Sequence, residues 1–163
     1  MKKNLSVAAI GSVIMIFVLR WQGSSLQTPV SKSIIDLEFA NTQERLHELL
    51  AHWDISVVKM NIWLDFLFIV TYTLFLSIAA ELCARKWPSN GMPAKTGLLL
   101  ARLAYVAGMF DIAGNLLMLQ TIAGHYTNAS LELTFYCASI RFLFAGLIIL
   151  YCIISLPVVI RKK

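Results

Sequence analysis

Apolar residues along this chain gather in four long blocks, and the stretches outside them hold three of the four prolines and most of the charge. Blocks of about 20 residues or more read as membrane-crossing helices. The pattern predicts spans at about 5–21, 55–84, 97–122 and 131–159. Pro88, Pro93 and the Asn90-Gly91 pair break the second connection, while Gly124 to Ser130 makes a tight third one. Pro157 falls in the last turn of the fourth span, where its effect on the helix ladder is modest. The first span has the basic start and apolar middle of a signal peptide. No small-residue cleavage site follows it, so a retained anchor is expected. Short, and free of charge from Leu5 to Leu19, it is a poor candidate for chemistry.

The segment 33–53 is neither span nor simple loop. Ser33 to Asp36 has the form of a capping box, and Asn41 to Glu44 is an Asn-led variant of it. Ile35, Phe39, Leu46, Leu49, Leu50 and Trp53 recur at helical spacing, with acids and His47 on other faces. Two short amphipathic helices on the outer surface are expected. They either pack on the bundle as a surface layer or act as a lid or protein-partner element over a cavity.

Inside the spans the polar residues fall on stripes. In the third span Ala101, Ala104, Gly108, Asp111, Asn115 and Met118 follow steps of three and four and share one face. The fourth carries Thr134, Ala138, Arg141, Ala145, Ile148, Cys152 and Ser155 in the same way, and the second carries Asn61, Asp65, Phe68, Tyr72, Phe75 and Ala79. A charge at mid-span costs about 2.5–3.5 kcal/mol even on a lenient insertion scale, so such seams face the bundle interior and should converge. Folding the third and fourth spans as an antiparallel hairpin sets Arg141 opposite residues 113–114, with Asp111 and Asn115 within about 5 Å along the axis. Asp65 falls beside Asn115. The predicted site is Asp65, Asp111, Asn115 and Arg141, about 10–16 Å below the outer surface, with Asn61 on the same seam and Tyr72 about 10 Å deeper than Asp65 as its floor. One reading is a structural ion pair holding three helices in register. Against it, two aspartates and one arginine leave a formal charge of −1 in low dielectric, which calls for a proton, a cation or water.

Composition agrees with the pattern. Of 163 residues 58% are hydrophobic and only 14% charged, with a mean hydropathy of +0.72. A soluble domain carries about a quarter of its residues charged. The fold class expected is all-α: a polytopic membrane protein forming one four-helix transmembrane domain over 1–163. The net charge of +5 does not imply nucleic acid, because its distribution is a topology signal. Lys2 and Lys3 open the chain, Arg85, Lys86 and Lys95 lie between the second and third blocks, and Arg161, Lys162 and Lys163 close it. Acids predominate over 21–59, and 123–131 holds no Lys or Arg. Both termini are therefore expected in the cytoplasm, with the protein in the inner (cytoplasmic) membrane.

The remaining candidates are weaker. Cys83, Cys137 and Cys152 stand singly without a C-x-x-C, so they read as small buried residues. Glu81 with Arg85, and Arg102, read as anchoring or snorkelling groups. His47, His52 and His125 all lie outside the spans, which disfavours a haem crossing the bundle. A metal site at His47 and His52 has too few ligands, and no cofactor is expected. Trp21, Trp53, Trp63 and Trp87 fall near span ends, as interfacial anchors do.

Three strings bear a resemblance: Asp36-Leu-Glu-Phe-Ala40, then Trp63 to Ile69 with Tyr72, then Gly108 to Asn115. Together they resemble a family of small, uncharacterised bacterial four-span integral membrane proteins, with a "LEFA"-like outer helix, an "LDFLF" span and a span carrying Asp and Asn. The resemblance covers 33–150 and implies a four-span fold with Asp65, Asp111 and Asn115 as the residues to watch. Gly114 stands where that family's pattern has glutamate, so a role resting on that acid does not carry over. The expected function is binding or transport of a lipid, hydrophobic small molecule or ion at the outward-facing polar site. The alternatives are a membrane-embedded enzyme acting on a lipid headgroup and a structural accessory subunit. No nucleophile motif or phosphate loop decides whether it is an enzyme.

Overall fold

A computed structural model describes residues 2–161; Lys162 and Lys163, two of the basic residues of the last flank, lie outside the described residues, as does Met1. Among the described residues four helices are long and apolar enough to cross a membrane. They are α1 (Lys2–Gln22), α4 (Ile55–Ala84), α5 (Met92–Ile122) and α6 (Asn128–Arg161). Between the first two lie a 3-10 turn (Gly23–Leu26) and the short helices α2 (Ile35–Glu38) and α3 (Gln43–Leu50). The chain is a multi-pass membrane protein with a helical cap at one end of its bundle.

Helix starts follow local chemistry. Asp54 caps α4 by accepting the Ser56 N–H at 2.8 Å. Thr127 and Ser130 exchange hydrogen bonds around the start of α6, each hydroxyl accepting the other's backbone N–H. For α3 the expected Asn41 cap is displaced by one residue: Thr42 is extended, and its Oγ1 accepts the Arg45 N–H at 3.3 Å. A threonine at the cap position accepts the amide three residues on with its side-chain oxygen, as asparagine does. The third span also starts earlier than expected. Pro93 falls inside the first turn of α5, where its missing N–H costs nothing, so the helix begins at Met92. Gly124, at φ +85°, supplies the left-handed residue that ends the α5 turn.

Helix α4 is the hub, packing against α1, α5 and, over a smaller area, α6, while α5 packs against α6. The stripe on α5 is buried as expected, and its small residues bring α4 close: a methyl at Gly108 would lie 2.6 Å from Thr73 Oγ1. Two apolar clusters result. One, built on Leu26, Leu46, Leu49, Trp53, Val58 and Ile62, lies under the cap; the other, including Ile69, Leu76, Ala104 and Ile148, fills the middle of the bundle. Trp53 is not the interfacial anchor expected. It is buried under the cap with its indole N–H on Leu26 O at 2.8 Å. Trp87 reaches Ser155 Oγ at 3.1 Å, whereas Trp21 and Trp63 are exposed.

Candidate functional site

Three of the four long helices bring charge to one level between the two apolar clusters. Asp111 on α5 is buried, pairs with the Arg141 guanidinium of α6, and accepts the Tyr72 hydroxyl of α4 at 2.8 Å. Asn115, one turn along α5, donates its Nδ2 to Asp65 Oδ2 at 2.8 Å. The converging seams thus unite Asp65, Asp111, Asn115, Arg141 and Tyr72.

Tyr72 lies farther from the cap than Asp65, in keeping with its place two turns along α4: it meets Asp111, whereas Asp65 meets Asn115, one turn nearer the capped end of α5. Asn61 is drawn elsewhere: its Nδ2 donates to Gln22 Oε1 at 2.6 Å and Leu19 O at 3.1 Å, tying the end of α1 to α4.

Sequence reasoning missed Glu38. The last residue of α2, it is buried and joins Arg141 through an ion pair at 2.5 Å. A signal for it exists: Glu38 lies four residues after Ile34 and three after Ile35, on the apolar side of a helical turn. Phe39 completes the docking, stacking on Phe142 at 6.0 Å and meeting Phe135 edge-on at 5.5 Å. Arg141 is thus committed to two carboxylates, with its guanidinium also over the Phe142 ring at 4.2 Å. Three carboxylates against one guanidinium leave a formal −2, one more negative charge than the expected site carried. Burial pushes the Glu38 carboxyl from its ordinary 4.5 up to about 7; Arg141 pulls it down, and Asp111 and Asp65 push it up.

Asp65 and Asp111 do not bond to each other. Asp65 pairs with no cation among the described residues, and its hydrogen bond comes from an amide. Asn115 Oδ1 is buried without a donor among the described residues, and Asn115 lines a void of about 10 Å³ with Glu38, Asp111, Thr134 and Arg141. That space is sized for about one water molecule. Among the described residues no group of three or more His, Cys, Asp or Glu is arranged to hold a metal ion.

A much larger cavity, about 780 Å³, opens beside this cluster. Asp65, Asp111, Arg141 and Glu38 form its polar end, and α4 supplies one wall through Asn61, Phe68, Tyr72 and Phe75. Facing walls come from Ser12 and Ile16 of α1 and from Phe142, Ala145 and Ile149 of α6. The predicted α4 stripe from Asn61 to Phe75 is therefore the cavity lining, and α1, unpromising by sequence, is a wall. No packing comparable to the other pairs joins α1 to α6, so the cavity lies in the seam between them. Arg20 and Lys32 line the same cavity, their side chains exposed and without an ion-pair partner among the described residues. Comparison with protein-family models, with curated proteins and with solved structures gives no match to this chain.

Proposed function

We propose that this is a bacterial inner-membrane protein, with both termini cytoplasmic and its cap outside, that binds an amphiphilic, lipid-like molecule entering sideways between α1 and α6. The observation that carries this reading is the cavity of about 780 Å³ that joins a charged cluster to apolar walls in one continuous space. That volume lies within the range of about 300–1,000 Å³ typical of ligand sites, which are mostly apolar with a few convergent polar groups. The orientation rests on the basic residues Arg85, Lys86 and Lys95 at the uncapped connection. Entry from the bilayer rests on the missing α1–α6 packing.

The test is lipid analysis of protein purified in mild detergent. A tightly retained amphiphile, present in about one copy per chain and absent from a four-span control, is the expected result. A delipidated protein that takes up no amphiphile while staying folded would refute the reading. Release of a cleaved headgroup on incubation would make the site an enzyme. A second reading, an accessory subunit, draws on the double pairing of Arg141, which cross-links α2, α5 and α6 with no ligand. It predicts a protein partner captured through residues 33–53 and an empty cavity.

A further inference from the structure

We infer that the amphiphile is an aminophospholipid, its ammonium held at Asp65 and its phosphate between Arg20 and Lys32. This rests on the cavity reading above and names the ligand class. Charge placement is the first support. The cluster keeps a formal −2 after Arg141 is counted, and Arg141 is already held by Glu38 and Asp111. An anionic headgroup placed against the cluster meets no unpaired cation there; an ammonium meets Asp65, whose partner is the neutral Asn115 amide. Unpaired cations line the cavity at Arg20 and Lys32, which belong to the end of α1 and to the loop before α2. The lining is acidic at the cluster and basic at these two residues, which is the polarity of a zwitterion.

Hydrogen-bond stoichiometry is the second support. Asp65 is acceptor-only when ionised, receives one N–H, from Asn115, and lines the cavity. Its carboxylate is thus short of N–H groups, and a primary ammonium brings three. Aromatic faces are the third. Phe68 and Tyr72 line the cavity on the turns after Asp65, their rings 5.1 Å apart. Rings beside a carboxylate favour a desolvated cation. Acyl chains then run along the apolar residues of α1 and α6 and leave through the seam.

The experiment is a titration of delipidated protein in mild detergent with chain-matched phosphatidylethanolamine, N-acetylated phosphatidylethanolamine and phosphatidylglycerol, read by native mass spectrometry. Phosphatidylethanolamine should bind about tenfold more tightly than either of the others. Asp65→Asn should remove that preference, changing phosphatidylglycerol binding by less than about twofold. Arg20→Gln with Lys32→Gln should weaken both phospholipids, because both carry the phosphate. Equal binding of the amine and N-acetylated lipids to the wild-type protein would overturn the headgroup assignment yet leave the cavity reading standing. That comparison needs no variant, so a poorly folding Asp65→Asn does not blunt it. No binding of any of the three lipids to folded protein would overturn the cavity reading itself.

Discussion

Arg141 is the residue on which the cap and the bundle meet. Its guanidinium joins Asp111 of α5 to Glu38, which is 103 positions earlier in sequence. Removing one member of a buried ion pair costs about 3–5 kcal/mol, because the charge left behind stays buried without a partner. Arg141→Met should therefore lower the unfolding temperature in detergent sharply. Adding Glu38→Gln and Asp111→Asn should recover most of the loss, since no stranded carboxylate then remains. A single variant as stable as wild type would mean that the pair does not hold the cap. Glu38 gives the cap a pH dependence as well. Its carboxyl titrates near 7 in the folded protein against 4.5 ordinarily, so the folded state holds the proton more tightly than the unfolded chain. The stability this contributes is complete below about pH 4.5 and is lost as pH rises through about 7. Wild type should thus lose unfolding temperature between pH 5 and 8 by more than Glu38→Gln does, about those two values. Parallel profiles would remove Glu38 as the cause.

At the scale of the element, the closeness of α4 and α5 depends on having nothing at Gly108. A methyl there would lie 2.6 Å from Thr73 Oγ1. Alanine in place of glycine gains about 1 kcal/mol of helix propensity. Overpacking a tight contact costs about 1–3 kcal/mol. Gly108→Ala should therefore come out less stable by thermal unfolding, and Thr73→Ala added to it should restore the loss by clearing the space. If Gly108→Ala is stabilising by itself, the helices are not in close contact there. The sequence made this contact legible: the α5 stripe from Ala101 to Met118 is buried at each of its named positions, because a three-four spacing maps directly onto one helix face. The pairing of Asp65 with Asn115 was legible for the same reason, once the connection was treated as an antiparallel hairpin. The docking of Glu38 was not. Periodicity says nothing of where a four-residue helix docks, so Glu38 read as one more surface acid although its neighbours Ile34 and Ile35 put it on the apolar side.

For the whole molecule, what matters is that the helices do not close into a complete ring. Helix α4 serves three partners, and the seam between α1 and α6 holds a cavity instead of a packed interface. Burying apolar side chains against each other would stabilise such a seam by about 25 cal/mol per Å², so an unpacked one needs another occupant or another reason. Bulk added to the cavity walls separates these. Ala9→Trp on α1 and Ala145→Phe on α6 both project into the space, and neither position belongs to the charged cluster. If the cavity holds an amphiphile, each should cut the retained lipid by about half or more, while unfolding of the lipid-free protein shifts by less than about 3 °C, the effect of about 1 kcal/mol in a chain this long. Met109→Trp, on the exposed face of α5, should change neither quantity. If the seam is only a loosely packed interface, the same two substitutions should raise the unfolding temperature by filling it and leave the lipid content at the control level. If the cavity holds an amphiphile, charges on the wall of this seam stand where a molecule diffusing in the bilayer reaches them without crossing the cap, whereas at the centre of the α4–α5 contact the same ion pair would be sealed.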